Sequence, residues 1–240
     1  MLRIGTSGYS YPKWRPAFYP EGASSDEMLE LYAQRFGTVE INNTFYRMPK
    51  ASVLEGWRTH VPDDFRFVLK ASRRITHQNR LVDADDNVAY LYSQATALGE
   101  QLGGVLFQLP PFLRKDVERL RAFLKVLPPE GARAIFEFRH ASWLDDEVFA
   151  VLREGGAGLC VADAEDGLPE APLVDLVGWG YVRLRRPAYE DAELQDWLSR
   201  IGSTWNDAYV VFMHEDETDA PRLALRALQL RDGETDRAPL

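Results

Sequence analysis

The sequence predicts a single (β/α)8 barrel, and three observations carry that prediction. Eight short apolar, β-rich runs alternate with helix-like segments at roughly 30-residue spacing. Each run ends, on its C-terminal side, in a polar or charged residue. No internal repeat or composition break marks a linker within the 240 residues, an ordinary length for one such barrel. The same alternation also admits a doubly wound open sheet, which is the alternative. The barrel is assigned to residues 1–230, followed by a polar C-terminal tail over 231–240.

Leu2 to Thr6 reads as strand one. The stretch from Ser7 to Trp14 is rich in Gly, Pro and aromatics and reads as a long loop, closed by the turn signal Tyr19-Pro20-Glu21-Gly22. A helix from Asp26 to Phe36 has Ser24 or Ser25 as cap, acids in its first turn, an apolar face of Leu29, Tyr32, Ala33 and Phe36, and Gly37 as its stop. Strand two is Thr38 to Ile41, and a helix from Ala51 to His60 ends before Pro62. Strand three is Phe65 to Ala71, and a helix spans Asp86 to Gln101. Gly103-Gly104 leads into strand four, Val105 to Leu109, which Pro110-Pro111 terminates.

A helix from Asp116 to Leu127 shows Val117, Leu120, Leu124 and Leu127 at helical spacing and stops at Pro128-Pro129. Strand five is Ala134 to Arg139, and Asp145 caps a helix to Glu154. Strand six is Ala157 to Asp163; its alternation puts Cys160 on the helix-facing side, opposite Asp163. Ala164 to Gly178 is only weakly periodic, so the sixth crossover is expected to be irregular. Strand seven is Trp179 to Arg185, followed by a helix from Glu190 to Ile201. Strand eight is Ala208 to His214, with Val210, Phe212 and His214 aligned, and Pro221 sits at the first position of the last helix.

Composition narrows the function. A formal net charge of −9 opposes general nucleic-acid binding and attachment to an anionic membrane surface, without forbidding a local basic site. No apolar run approaches the roughly 20 residues of a membrane helix. The N-terminus enters a strand with no leader-like pattern, and Cys160 is the single cysteine, so a cytoplasmic setting is expected. Oligomeric state is not set by the sequence.

In (β/α)8 barrels the site lies at the C-terminal ends of the strands. There the alternation places Thr6, Glu40, Asn42, Lys70, Gln108, Glu137, Arg139, Asp163, Arg183, Arg185 and His214. Polar ends on all eight strands exceed what a Val/Ile/Leu-filled interior requires. Glu40, Lys70, Glu137 and Asp163 are the candidate catalytic residues: carboxylates for acid–base work, and an amine for proton transfer, anion contact or Schiff-base chemistry. The arginines suit a carboxylate or phosphate on the ligand. The loop aromatics Tyr9, Trp14, Tyr46 and Trp143 complete the ligand-binding set, either stacking on a ligand or capping the barrel.

A structural reading stands beside the functional one, in which Glu40–Arg183 or Glu137–Arg139 pairs simply tie strands together. Metal fits poorly: there is no HxH or HExxH spacing, and a cation held by Glu40, Glu137 and Asp163 would have oxygen ligands only. No nucleotide motif and no cofactor motif occurs. The expected partner is a small polar or anionic ligand.

The same residues carry a family likeness. Gly5-Thr6-Ser7-Gly8-Tyr9-Ser10-Tyr11 with Trp14, Phe18-Tyr19-Pro20, Val39 to Tyr46, Phe67 to Ser72, Leu106 to Pro111, Phe136 to His140 with Ser142-Trp143, Ala162-Asp163 and Tyr181 to Leu184 together resemble the YecE-like family, domain of unknown function number seventy-two. The resemblance covers nearly the whole chain and implies a TIM-type barrel. It implies no activity. The chain departs from the family pattern at Arg185, where a histidine is frequent, and at Met213-His214-Glu215-Asp216, where an Asn-rich segment is usual. The function expected from residues and resemblance together is metal-independent acid–base or hydrolytic catalysis on a small polar, anionic substrate at the C-terminal mouth of the barrel, with a non-catalytic binding protein for an anionic metabolite or nucleic-acid end as the alternative.

Overall fold

A computed structural model of the chain describes residues 1–128, 133–163, 168–213 and 218–233. Eight parallel strands close into one barrel in sequence order: β1 (Leu2–Ser7), β2 (Thr38–Ile41), β3 (Arg66–Lys70), β4 (Leu102–Gln108), β5 (Arg133–Glu137), β6 (Gly158–Ala162), β7 (Gly180–Leu184) and β8 (Ala208–Phe212), with β8 returning to pair with β1. This is the (β/α)8 architecture that the alternation predicts.

The helices lie outside: α1 (Ser25–Ala33), α2 (Ala51–Thr59), α3 (Asp85–Ala95), α4 (Val117–Leu124), α5 (Asp146–Glu154), α6 (Asp191–Thr204) and α7 (Asp219–Arg231). Local chemistry sets their starts. The Ser24 hydroxyl accepts from the Glu27 amide while the Glu27 carboxylate accepts from the Ser24 amide, a capping box at α1. Asp116 and Asp145 cap α4 and α5, each accepting one backbone amide through a side-chain oxygen. α3 ends at Ala95, before the Gln101 that periodicity suggests; the chain continues as a 3-10 segment, Thr96–Gln101, in which Gly99 has φ 54°.

Between β6 and β7, residues 168–179 form no helix, in line with the expected irregular crossover. A π-helical turn, Arg74–Gln78, follows β3. No helix of the described residues is long and apolar enough to cross a membrane.

Close approach of β1 to β2 depends on Gly5. A Cβ there would lie 2.0 Å from the Thr38 carbonyl oxygen and 3.0 Å from the Tyr32 hydroxyl. Two apolar layers fill the space between strands and helices. A third fills the barrel itself: Val68, Leu106, Ile135, Cys160, Tyr181, Tyr209 and Val211.

That third layer corrects two readings of strand direction. Cys160 faces the barrel interior, while Val161 faces the helices. On β8 the interior residues are Tyr209 and Val211, and Val210 and Phe212 pack outward. Both strands are buried on both faces, so their apolar runs carry no inside–outside signal.

Candidate functional site

Above the apolar interior layer lies a polar one, assembled by strand register. Ser7 pairs with Glu40, Gln108 with Glu137, and Ala162 with Arg183. Arg183 is the centre. It is fully buried, its Nη1 donates to Glu137 Oε2 at 2.5 Å, and its Nη2 donates to Glu40 Oε1 at 2.8 Å. A guanidinium can bridge two carboxylates because its donors diverge in one plane.

Both carboxylates are further saturated. Glu40 accepts from the hydroxyls of Ser7 and Tyr181, each at 2.8 Å, and Asn42 donates its amide to Ser7 Oγ at 2.5 Å. Glu137 accepts from the Gln108 amide at 3.0 and 2.9 Å, from Arg139 Nε at 3.0 Å and from Arg185 Nη2.

Electrostatics follows from that geometry. Burial pushes the Glu40 carboxyl upward, but the attraction of Arg183 and Lys70, with the two hydroxyl donors, outweighs it and holds Glu40 below its ordinary value. Burial likewise opposes ionisation of Glu137, and three arginines overcome it, leaving this carboxyl well below the usual range. Both are therefore carboxylates at neutral pH, and Arg183 is held firmly charged.

Lys70 differs from every other cation in the set. It is half-buried and makes no ion pair with a described residue, and its Nζ lies 4.7 Å over the Phe45 ring. Burial lowers its pKa, Arg183 lowers it further, and Glu40 and Glu137 only partly offset this. His77, edge-on to Phe45 at 5.0 Å, is also lowered, by burial and then by Lys70, Arg139 and Arg73.

The expected residues fall into three groups. Glu40, Asn42, Gln108, Glu137, Arg139, Arg183 and Arg185 form the polar layer, with Lys70 at its edge. Asp163 lies beside that layer: Oδ1 accepts the Arg185 amide at 2.7 Å and Oδ2 accepts from the Tyr189 hydroxyl, so this acid fastens the chain after β7.

The second group sits elsewhere. Thr6 faces the helices, where its amide donates to the Tyr32 hydroxyl at 2.7 Å. Tyr9 packs against Tyr32, and burial, with Asp26 nearby, raises its phenol to about 12. Trp14 is fully buried among Tyr11, Phe18 and Tyr19, and Trp143 is buried flat on Phe138 at 4.8 Å with its Nε1 on the Leu113 carbonyl. Trp14 and Trp143 close small cores behind the strand ends and expose no ring face, while Tyr9 stays half-buried; apolar area drives the two indoles inward. Tyr46 is exposed, on the flank of the barrel.

His214 alone makes the third group and lies outside the described residues. Sequence reasoning missed Ser7, Tyr181 and His77 beside the polar layer. Ser7 was within reach, because extending strand one by a residue puts it on the inward face beside Glu40. Among the described residues no three His, Cys, Asp or Glu side chains group closely enough to hold a metal ion.

The chain is similar to known proteins of one family and one fold. The sequence model of the family described as "Protein of unknown function DUF72" matches residues 3–239. The UPF0759 protein YecE of Escherichia coli K12 is 37% identical over 141 residues, 58% of this chain and 49% of that protein, so the matched stretch spans about half the relative's length. The UPF0759 protein YunF of Bacillus subtilis is 26% identical over 97% of this chain and 95% of its own. A crystal structure of a DUF72 family protein from Thermotoga maritima superposes with a TM-score of 0.84 at 24% identity, covering 97% of this chain and 99% of that one. D-psicose 3-epimerase shares the fold at a TM-score of 0.55 and 12% identity, with 96% of each chain covered. With a family match over nearly its whole length and a barrel to go with it, the chain belongs to the DUF72 family.

Proposed function

We propose that the protein is a metal-independent acid–base enzyme acting on a small anionic substrate at the C-terminal mouth of the barrel, with Lys70 as the proton-transferring group. The observation that carries the reading is the state of Lys70: a half-buried amine with a lowered pKa and no ion-pair partner among the described residues, beside carboxylates that are all engaged. A base in water near pH 7 needs a pKa brought down towards that pH, and burial within a cationic set does so. With Lys70 charged, Lys70, Arg139, Arg183 and Arg185 outnumber Glu40, Glu137 and the neighbouring Asp163, so the layer carries a small excess of positive charge in a protein of net charge −9. That excess favours an anionic substrate, with the partly exposed Arg139 as its anchor. Glu40 and Glu137 then act as positioning residues that fix Arg183 and Arg185.

A second reading, a binding protein without turnover, is favoured by one fact: Glu40 and Glu137 are saturated by donors and strongly ionised, leaving neither as a general acid. Calorimetric titration with phosphate and small dicarboxylates, paired with a turnover screen on the ligands that bind, tests both. Binding that K70M weakens at least tenfold, with a turnover that K70M abolishes, is the expected result. Binding without turnover selects the second reading. Equal binding by wild type and K70M refutes the site.

A further inference from the structure

Away from the polar layer, on the flank of the barrel, a cleft of about 730 Å³ opens between the loops that follow β2 and β3, and is closed below by α2 and α3. Its size is ordinary for a small-molecule site. Three features of its wall are not. The first is charge. Arg47, Lys50 and Arg74 line it, no Asp or Glu does, and none of the three makes an ion pair with a described residue. In a chain of net charge −9, three cations around one cleft with no acid among its lining residues make a local basic patch. The second is aromatic exposure. Tyr46 is 72% exposed, Tyr90 54% and Val53 46%, and all three face this one cleft, although only six large apolar side chains are exposed among the described residues. The third is support. Tyr46 is held edge-on by Phe45 at 5.1 Å, and the Thr44 hydroxyl donates to the Lys70 carbonyl at 2.7 Å, so the β2 loop is fixed to β3 beneath the ring.

We infer that this cleft is a nucleotide site, in which a base stacks on Tyr46 and Tyr90 and the phosphate meets Arg47, Lys50 and Arg74. A flat ring has a face for an exposed tyrosine, and a phosphate has charge for an unpaired cation; a ligand with only one of these parts leaves half of the wall without a partner. The amide of Asn87, also on the wall, is placed to meet polar atoms on the edge of a base. The site is distinct from Lys70, whose ammonium lies over Phe45, a residue outside the lining. The assignment therefore stands or falls independently of the catalytic reading.

One chemistry serves two sources, a free mononucleotide and the phosphorylated end of a single strand. The test is calorimetric titration of the full chain with AMP, adenosine, ribose 5-phosphate and a 5′-phosphorylated hexathymidylate. AMP should bind saturably, with adenosine and ribose 5-phosphate each weaker by about tenfold or more. Y46A and R74A should each weaken AMP by about tenfold at an unchanged Tm, while F112A leaves it as in wild type. A free nucleotide is the natural ligand if AMP binds at least as tightly as the oligonucleotide. A strand end is the ligand if the oligonucleotide binds more tightly, with affinity falling steeply with salt. No saturable binding of AMP or oligonucleotide at millimolar concentration overturns the proposal. So does a ribose 5-phosphate affinity equal to that of AMP, or AMP affinities in Y46A and R74A equal to wild type.

Discussion

The two ends of the barrel use the same ion-pair chemistry and differ in burial. At the C-terminal end Arg183 lies between Glu40 and Glu137, and all three are fully buried or nearly so. At the N-terminal end Asp207 collects Arg133 at 2.6 Å, Arg3 at 3.3 Å and the chain's amino terminus at 3.7 Å, with its side chain 26% exposed. There Arg3 and Arg133 also cover the Tyr209 ring from below, 5.7 and 5.8 Å from its centroid. Water screens the lower cluster, so each of its pairs is worth little. The upper network has no water to fall back on, and removing one partner leaves a charge stranded. The lower cluster can serve as a lid on the interior. The upper one can hold charges in fixed positions, as a site requires.

Breaking the centre of the upper network should have the largest effect. R183M strands two carboxylates and is expected to destabilise by about 3–5 kcal/mol in urea unfolding, if the variant folds at all. Acid is the next largest perturbation. Glu40 and Glu137 have folded pKa values below their unfolded ones, so their contribution is complete above the unfolded carboxyl value of about 4.3 and is lost as pH falls further. Urea midpoints should therefore drop below about pH 4, and E40Q, already weakened at neutral pH, should show a flatter acid limb. D207N tests the lower end and should cost about 1 kcal/mol or less in the same unfolding assay. An effect equal to that of R183M would break the comparison. The smallest change is K70M, expected within about 0.5 kcal/mol of wild type because it removes a half-buried charge with no ion-pair partner among the described residues. Its signature is the loss of the Tm rise that phosphate gives the wild type.

Much of this was legible in the residues. Glu40, Gln108, Glu137 and Arg183 follow from strand alternation, because a polar residue in an apolar strand reveals its face. The Glu40–Arg183 pairing is itself among the readings that the sequence admits. Cys160 and Val210 could not be read the same way, since β6 and β8 are apolar on both faces. Trp14 and Trp143 misled because an aromatic in a loop has two fates, exposure to a ligand or burial in a local core, and only tertiary packing decides between them. The cleft was invisible. Tyr46, Arg74 and Tyr90 come from two loops and a helix, and nothing in their spacing says that they meet.

The central claim is that the strand-end charges divide into a saturated structural network and one amine left for a ligand. The most direct test is the titration of Lys70 itself, by ¹³Cε NMR of lysine-labelled protein, with its signal assigned as the one absent from K70M. The account predicts a midpoint below the ordinary lysine value of about 10.4, moving upward when phosphate is added, since a bound anion favours the charged amine. A midpoint at the ordinary value that phosphate leaves unmoved would contradict it.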